Sequence, residues 1–159
     1  MLSLVRLLVG LGAYGAVLLQ VSVLGSWPLL GGQPNLIALG AAVFLVGGRL
    51  DLGLIWILVG GSWLDLLLPV RFGSTLLPLL LTFGLLRLLL TRFVESPSWI
   101  GTIVVGLLLL VGSEAVVVVQ LGAWHQLLVD LVAGTILLMP IAWILMRQLS
   151  LRHHGLVVH

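Results

Sequence analysis

The chain has 159 residues, of which 61% are hydrophobic and only 8% are charged, and its mean hydropathy is +1.32. A soluble globular domain averages about a quarter charged residues, so this composition excludes an ordinary water-soluble domain. The seven basic residues are all arginines, stand against five acids and are dispersed along the chain, which excludes the clustered basic face of a nucleic-acid-binding protein.

Charged residues and Pro/Gly turns divide the chain into six apolar segments, and each is predicted to be a helix. In chain order the segments are 7–26, 35–48, 52–68, 74–91, 99–121 and 124–146. A helix needs about 20 apolar residues to cross a hydrocarbon core of about 30 Å. Four segments reach or approach that length, the third is marginal, and the second is also compatible with a re-entrant or interfacial segment. The first is longer than the apolar part of a signal peptide, so it is predicted to remain as a helix.

The distribution of arginines favours six membrane crossings. With six, only Arg71 lies on one side of the membrane. Removing the second crossing would separate Arg6 from Arg147 and Arg152 and erase this bias. Because cytoplasmic loops carry an excess of basic residues, both termini are predicted to be cytoplasmic. The predicted fold class is therefore an all-α, polytopic integral membrane protein, with residues 1–159 forming a single six-helix domain. The arginines on the predicted cytoplasmic side are Arg6, Arg49, Arg87, Arg92, Arg147 and Arg152.

Three acidic residues, Asp65, Glu114 and Asp130, fall inside the predicted helices. An ionisable side chain in the hydrocarbon costs several kcal/mol, so each is a candidate functional residue. At 1.5 Å per residue, Asp65 lies about 6 Å below Pro69, and the other two lie at a common level about 10 Å below their connecting turn. All three therefore fall in the outer half of the membrane, which predicts a polar groove that opens outward.

The residues leave several roles open for this groove. In a structural role, Asp65 pairs with Arg71 while Glu114 and Asp130 share a proton or bond to neighbouring helices. Alternatively the groove, with His125 nearer the surface, binds a partner protein or a small ligand. A catalytic or proton-relay role is the third alternative. No nucleophile stands beside a base, cysteine is absent, and the His and acidic residues lack metal-ligand spacing, so we predict no enzymatic activity, cofactor or metal.

Three short sequences resemble the MreD family of rod-shape-determining membrane proteins: GGQPNL (31–36), GGRLDLG (47–53) and GGSWLDLLLPVRFG (60–73). That family typically has Pro-Asp-Leu at the start of its second helix and a cytoplasmic turn containing Gly and Arg. A Gly-x-x-x-Asp-Leu segment then precedes a short Pro/Gly turn. The resemblance covers about the first half of the chain, and Asn35 stands where the family usually has Asp. The other matching positions are Pro34, Leu36, Arg49, Gly53, Gly61, Asp65, Leu66 and Gly73.

The resemblance implies a non-enzymatic scaffold subunit in the bacterial inner (cytoplasmic) membrane, within the complex that elongates the peptidoglycan wall and maintains cell shape. Its expected partner is an MreC-like single-span protein, and through it the MreB filament, the RodA glycan polymerase and a class B penicillin-binding transpeptidase. Asp65 would orient the end of the third helix, with Arg71 as its counter-ion. The family's fold is also similar to the substrate-binding subunits of energy-coupling-factor transporters, so a subunit that binds a vitamin or a cation is the alternative function.

Overall fold

A computed structural model describes residues 2–24, 35–67, 73–93, 99–121 and 124–154. Across these ranges the chain forms six α-helices and no β-strand, which confirms the all-α prediction. A five-residue π-helical segment, Gln20–Leu24, continues the first helix. The helices are α1 (Leu2–Leu19), α2 (Leu36–Val46), α3 (Leu50–Leu67), α4 (Leu76–Phe93), α5 (Trp99–Leu121) and α6 (Trp124–His154).

Each predicted segment overlaps one helix, and the bounds of α5 agree with the prediction. The largest difference is at α6, which was predicted to end at residue 146 and continues to His154. Arg147 ends the apolar run, but a charged side chain does not interrupt backbone hydrogen bonding, so the helix continues. α6 has 31 residues and contains Pro140, which has no backbone N–H group to donate within the helix.

Helix α2 lies at the centre of the bundle, where it contacts each of the other five helices. It has 11 residues and is therefore about 16 Å long. Apolar side chains cover it on all sides, as expected for a helix that is buried all round. Its buried residues are Ile37, Ala38, Leu39, Ala41, Ala42 and Leu45.

The first three helices pack closely. α1 runs parallel to α3, with the Arg6–Asp51 ion pair (3.8 Å) towards one end and the Tyr14 and Trp63 rings (centroids 5.0 Å apart) towards the other. Arg6 and Asp51 are both exposed, so their ion pair contributes little to stability. α2 runs antiparallel to α3. The close approach needs glycine, because a Cβ atom on Gly60 would lie 2.5 Å from Cδ1 of Ile37.

The outward faces of several helices carry large apolar side chains. On α4 the exposed leucines are three or four residues apart, and Leu81 is 74% exposed. Since a helix on the surface of a soluble protein shows a polar outer face, this surface is unusual for a protein in water. The exposed apolar residues include Leu4, Leu7, Leu8 and Leu11 of α1, Leu77, Leu81, Leu85 and Leu88 of α4, and Leu128, Val132, Ile136 and Met139 of α6.

Two segments of the described chain, Ser3–Val23 and Leu50–Leu67, are each long and apolar enough to cross a membrane. Four other apolar stretches among the described residues are shorter. They are Leu36–Val46, Leu76–Leu90, Ile103–Glu114 and Trp124–Pro140. Length and composition therefore support two crossings, and six crossings remain a prediction.

Candidate functional site

The carboxylate of Asp65 caps the beginning of α4. Asp65 lies near the end of α3 and is only 4% exposed. Its Oδ2 atom accepts hydrogen bonds from the backbone N–H groups of Gly73 (2.8 Å) and Leu76 (3.2 Å), and Oδ1 accepts one from Thr75 (2.9 Å). The first N–H groups of a helix have no partner within the helix, so Asp65 supplies acceptors that α4 itself lacks. Gly73 has a φ of 90°, a backbone conformation that favours glycine in this turn.

These contacts give Asp65 partners that the sequence did not predict. Asp65 is predicted to orient the end of α3 with Arg71 as its counter-ion, and its partners among the described residues are backbone N–H groups at the start of α4. The positive end of the α4 dipole favours the negative charge there. Arg71 lies outside the described residues.

Asn35 performs a similar role for α2. It is buried, and its side-chain oxygen accepts hydrogen bonds from the N–H groups of Ile37 (3.0 Å) and Ala38 (3.2 Å). The N–H group of Leu36, the first residue of α2, donates to Oε1 of Gln20 (2.9 Å). Asn and Asp are about equally good at this capping position, and Asn35 serves as the N-cap of α2. Pro34 lies outside the described residues.

The turn from α2 to α3 depends on Gly48 and Arg49. Gly48 has a φ of 67°, its N–H donates to the carbonyl of Leu45 (3.2 Å), and the N–H of Arg49 donates to the carbonyl of Phe44 (2.9 Å). This pair of bonds with a left-handed residue between them is the Schellman motif that ends many helices. The carbonyl of Arg49 then accepts the first hydrogen bond of α3 from Gly53, while the Arg49 side chain is exposed.

Two glycines of the family-like motifs allow α3 to approach its neighbours. A Cβ atom on Gly53 would lie 2.7 Å from Cζ of Phe83, and one on Gly61 would lie 2.9 Å from Cδ1 of Leu76. Both contacts are with α4. Gly61 therefore brings α3 close to the start of α4, within reach of the Asp65 carboxylate.

Glu114 and Asp130 meet across the α5–α6 hairpin. Asp130 is buried, its carboxyl group is hydrogen-bonded with that of Glu114, and its Oδ1 atom accepts a bond from Nε2 of Gln126 (3.3 Å). The contact agrees with the common level predicted from their equal distance to the hairpin turn.

The three carboxylates do not form one cluster. Asp65 belongs to the α3–α4 connection, and Glu114 and Asp130 belong to the α5–α6 hairpin. His125 is exposed at the start of α6. Within the described ranges, no group of three or more His, Asp or Glu side chains is close enough together to hold a metal ion.

An apolar cavity of about 340 Å³ lies beside α2. The Nε1–H of Trp56, on its wall, donates to the carbonyl of Ile37 (3.1 Å), so the one polar group of that side chain is satisfied within the bundle. The sequence did not single out this cavity, because an apolar lining looks the same in sequence as ordinary core. The lining includes Ala16 of α1, Gly40, Val43 and Phe44 of α2, Trp56 of α3 and Leu137 of α6.

The described polar groups thus act mainly at connections between helices. Asn35 and Asp65 each cap a helix, and Glu114 with Asp130 links the two helices of a hairpin. Comparison with known proteins found no family model, no curated protein and no solved structure that matches the chain.

Proposed function

We propose that the chain is a multi-pass protein of the bacterial cytoplasmic membrane, with six helices in the bilayer and both termini in the cytoplasm. The observation that carries this proposal is the apolar outer face of the bundle, where residues such as Leu81 and Leu85 are exposed at helical spacing. In lipid these side chains contact acyl chains at no cost, whereas in water they would form an extended apolar surface. The short α2 fits this proposal because all five other helices pack against it.

Within that membrane, we propose a non-enzymatic scaffold subunit similar to MreD, which binds an MreC-like partner. Through this partner it would act with the MreB filament, the RodA polymerase and a class B penicillin-binding transpeptidase in peptidoglycan elongation. Support comes from the family-like motifs, since Asn35, Arg49 and Asp65 each form a helix cap or turn. The described carboxylates are engaged in such structural bonds, which favours a scaffold over an enzyme.

The described cavity favours the scaffold over a transporter subunit. A pocket for a vitamin or a cation combines an apolar wall with several convergent polar groups. The cavity beside α2 has an apolar lining, and the Nε1–H of Trp56 on its wall bonds to backbone.

The topology can be tested with single cysteines, because the natural chain contains none. We expect Arg49→Cys to react with a membrane-impermeant maleimide only after the cells are permeabilised. His125→Cys, at the predicted external hairpin, should react in cells whose inner membrane is intact. Reaction of both positions from the same side would contradict six crossings.

The partner can be tested by co-expressing the tagged full-length chain with an MreC-like protein and purifying it in mild detergent. We expect the two to co-purify, and depletion of the chain should make rod-shaped cells round. His125→Ala should weaken capture if the partner contacts the external hairpin, and Leu81→Ala, on the outward face of α4, is the matched control. If the two proteins did not co-purify and depleted cells kept their rod shape, the scaffold proposal would be contradicted.

A further inference from the structure

We propose that the cavity beside α2 holds one acyl chain of an anionic phospholipid, whose phosphate binds at Arg49. This inference rests on the membrane location proposed above. It adds a specific lipid partner and a site for it, which the scaffold role does not itself require.

The cavity is suited to an aliphatic chain. Its volume of about 340 Å³ lies at the lower end of the range for ligand pockets. Its lining is apolar and the Trp56 indole N–H is already bonded to Ile37, so water inside would find too few partners. An α-helix with its side chains is about 10 Å wide, so a partner helix is too large an occupant for this volume.

The wall of the cavity is built by close packing around Trp56. Its ring lies directly over Gly40, where any Cβ atom would overlap it, and packs at 5.7 Å and 55° against the ring of Phe44. A Cβ atom on Gly12 would lie 3.4 Å from Cζ3 of the indole. Trp56 is therefore held on several sides, and it cannot turn to fill the space.

The positive charge of Arg49, just after the end of α2, favours a lipid with an anionic headgroup. Phe44 lines the cavity, and its carbonyl accepts the hydrogen bond from the N–H of Arg49 (2.9 Å), so this arginine follows the cavity within about one helical turn. Arg49 is exposed and has no ion pair within the described part of the chain, whereas the nearby acid Asp51 pairs with Arg6. A guanidinium group matches phosphate geometry, and the predicted cytoplasmic side is where anionic headgroups attract basic residues.

Native mass spectrometry of the full chain in mild detergent tests this site. The probes are phosphatidylglycerol and phosphatidylcholine with the same acyl chains. We expect one phosphatidylglycerol to be retained in preference to phosphatidylcholine. Arg49→Gln should reduce this preference about fivefold, the effect of one basic residue near an anionic headgroup.

Two further variants test the cavity. Val43→Phe should fill the space and remove the retained lipid. If that variant does not fold, Ala16→Leu, at another lining residue, tests the same expectation. Leu81→Phe is the control, because it adds a ring on the outward face of α4 and should leave lipid retention unchanged. Circular dichroism checks that each variant is folded. Equal retention of both lipids by the natural chain, unchanged retention in folded Val43→Phe, or a dimer of the chain in place of the lipid complex would overturn the proposal.

Alkaline extraction of cell membranes separates this proposal from the one on which it rests. A chain that stays in the membrane but retains no phosphatidylglycerol contradicts the lipid site alone. A chain that is released into the alkaline supernatant contradicts the membrane location, and with it the lipid site.

Discussion

Asp65 illustrates how backbone N–H groups accommodate a buried carboxylate. Three N–H groups surround its carboxylate, and all three belong to the beginning of α4 or to the turn before it. Hydrogen bonds to a charged group contribute about 1.5–3 kcal/mol each, more than those between neutral groups. The stability of the α3–α4 connection should therefore depend strongly on this single side chain.

We expect Asp65→Ala to lower the free energy of unfolding by at least about 2 kcal/mol, because it removes a helix cap and leaves buried N–H groups without acceptors. Asp51→Ala is the matched control: Asp51 is exposed, and its pair with Arg6 should contribute less than about 1 kcal/mol. Unfolding of the purified chain in detergent micelles, followed by circular dichroism, measures both. Equal losses in the two variants would contradict the capping role.

At the level of helices, α5 and α6 interlock through a regular antiparallel series of contacts. A Cβ atom on Gly106 would overlap Leu138, one on Gly134 would lie 2.5 Å from Cδ1 of Leu110, and Glu114 bonds with Asp130. On each helix these residues are four apart, so they lie on one face. A large side chain on one helix thus faces a glycine on the other, and the carboxyl pair is the next contact in the same series.

This pairing predicts a substitution that depends on its partner. Gly134→Leu should cost about 1–3 kcal/mol of folding stability, because the added side chain collides with Leu110. Leu110→Ala in the same chain should recover part of that loss by making room. Gly84→Leu on α4 is the matched control, since no atom lies within 4 Å of a Cβ atom there.

Thermal unfolding of the four proteins in the same detergent distinguishes these effects. If Gly84→Leu were as destabilising as Gly134→Leu, the loss would reflect glycine replacement in general and not the α5–α6 contact. If Leu110→Ala added to the loss, the two residues would not share the space.

The six helices were predictable because apolar runs and Pro/Gly turns mark membrane-type helices directly. The cap formed by Asp65 was not predictable from the sequence. Its carboxylate accepts hydrogen bonds from backbone groups up to eleven residues away, and backbone groups are the same at every position of the sequence. The pairing of Asp65 with Arg71 stays a prediction, because Arg71 lies outside the described residues. The Glu114–Asp130 contact was foreseeable, because both residues are eight positions from Gly122 and a short hairpin brings such positions together.

For the molecule as a whole, the main feature is that apolar side chains cover both the inside and the outside of the bundle. The interior alone would be consistent with any helical protein. The exterior, with residues such as Leu85 and Leu4 exposed to similar extents (59% and 60%), is what requires an apolar surrounding. In the proposed membrane location, lipid provides it, and this face should then be sensitive to charge in a depth-dependent way.

We expect Leu85→Arg, at the middle of α4, to reduce membrane insertion, because an arginine at the centre of a spanning helix costs about 2.5–3.5 kcal/mol. Leu4→Arg, at the start of α1, should be tolerated because its side chain can extend to the interface. The fraction of chain that resists alkaline extraction from membranes measures both. In water two equally exposed leucines would tolerate arginine equally, so equal insertion would contradict the membrane proposal.

The central position of α2 also bears on how the protein is made. In the proposed bilayer, an isolated helix of about 16 Å does not reach across a hydrocarbon core of about 30 Å. Its main packing neighbours α3 and α5 are both translated after it. In that topology we expect α2 to become stably seated in the membrane only after α3 and α5 have been made and pack around it.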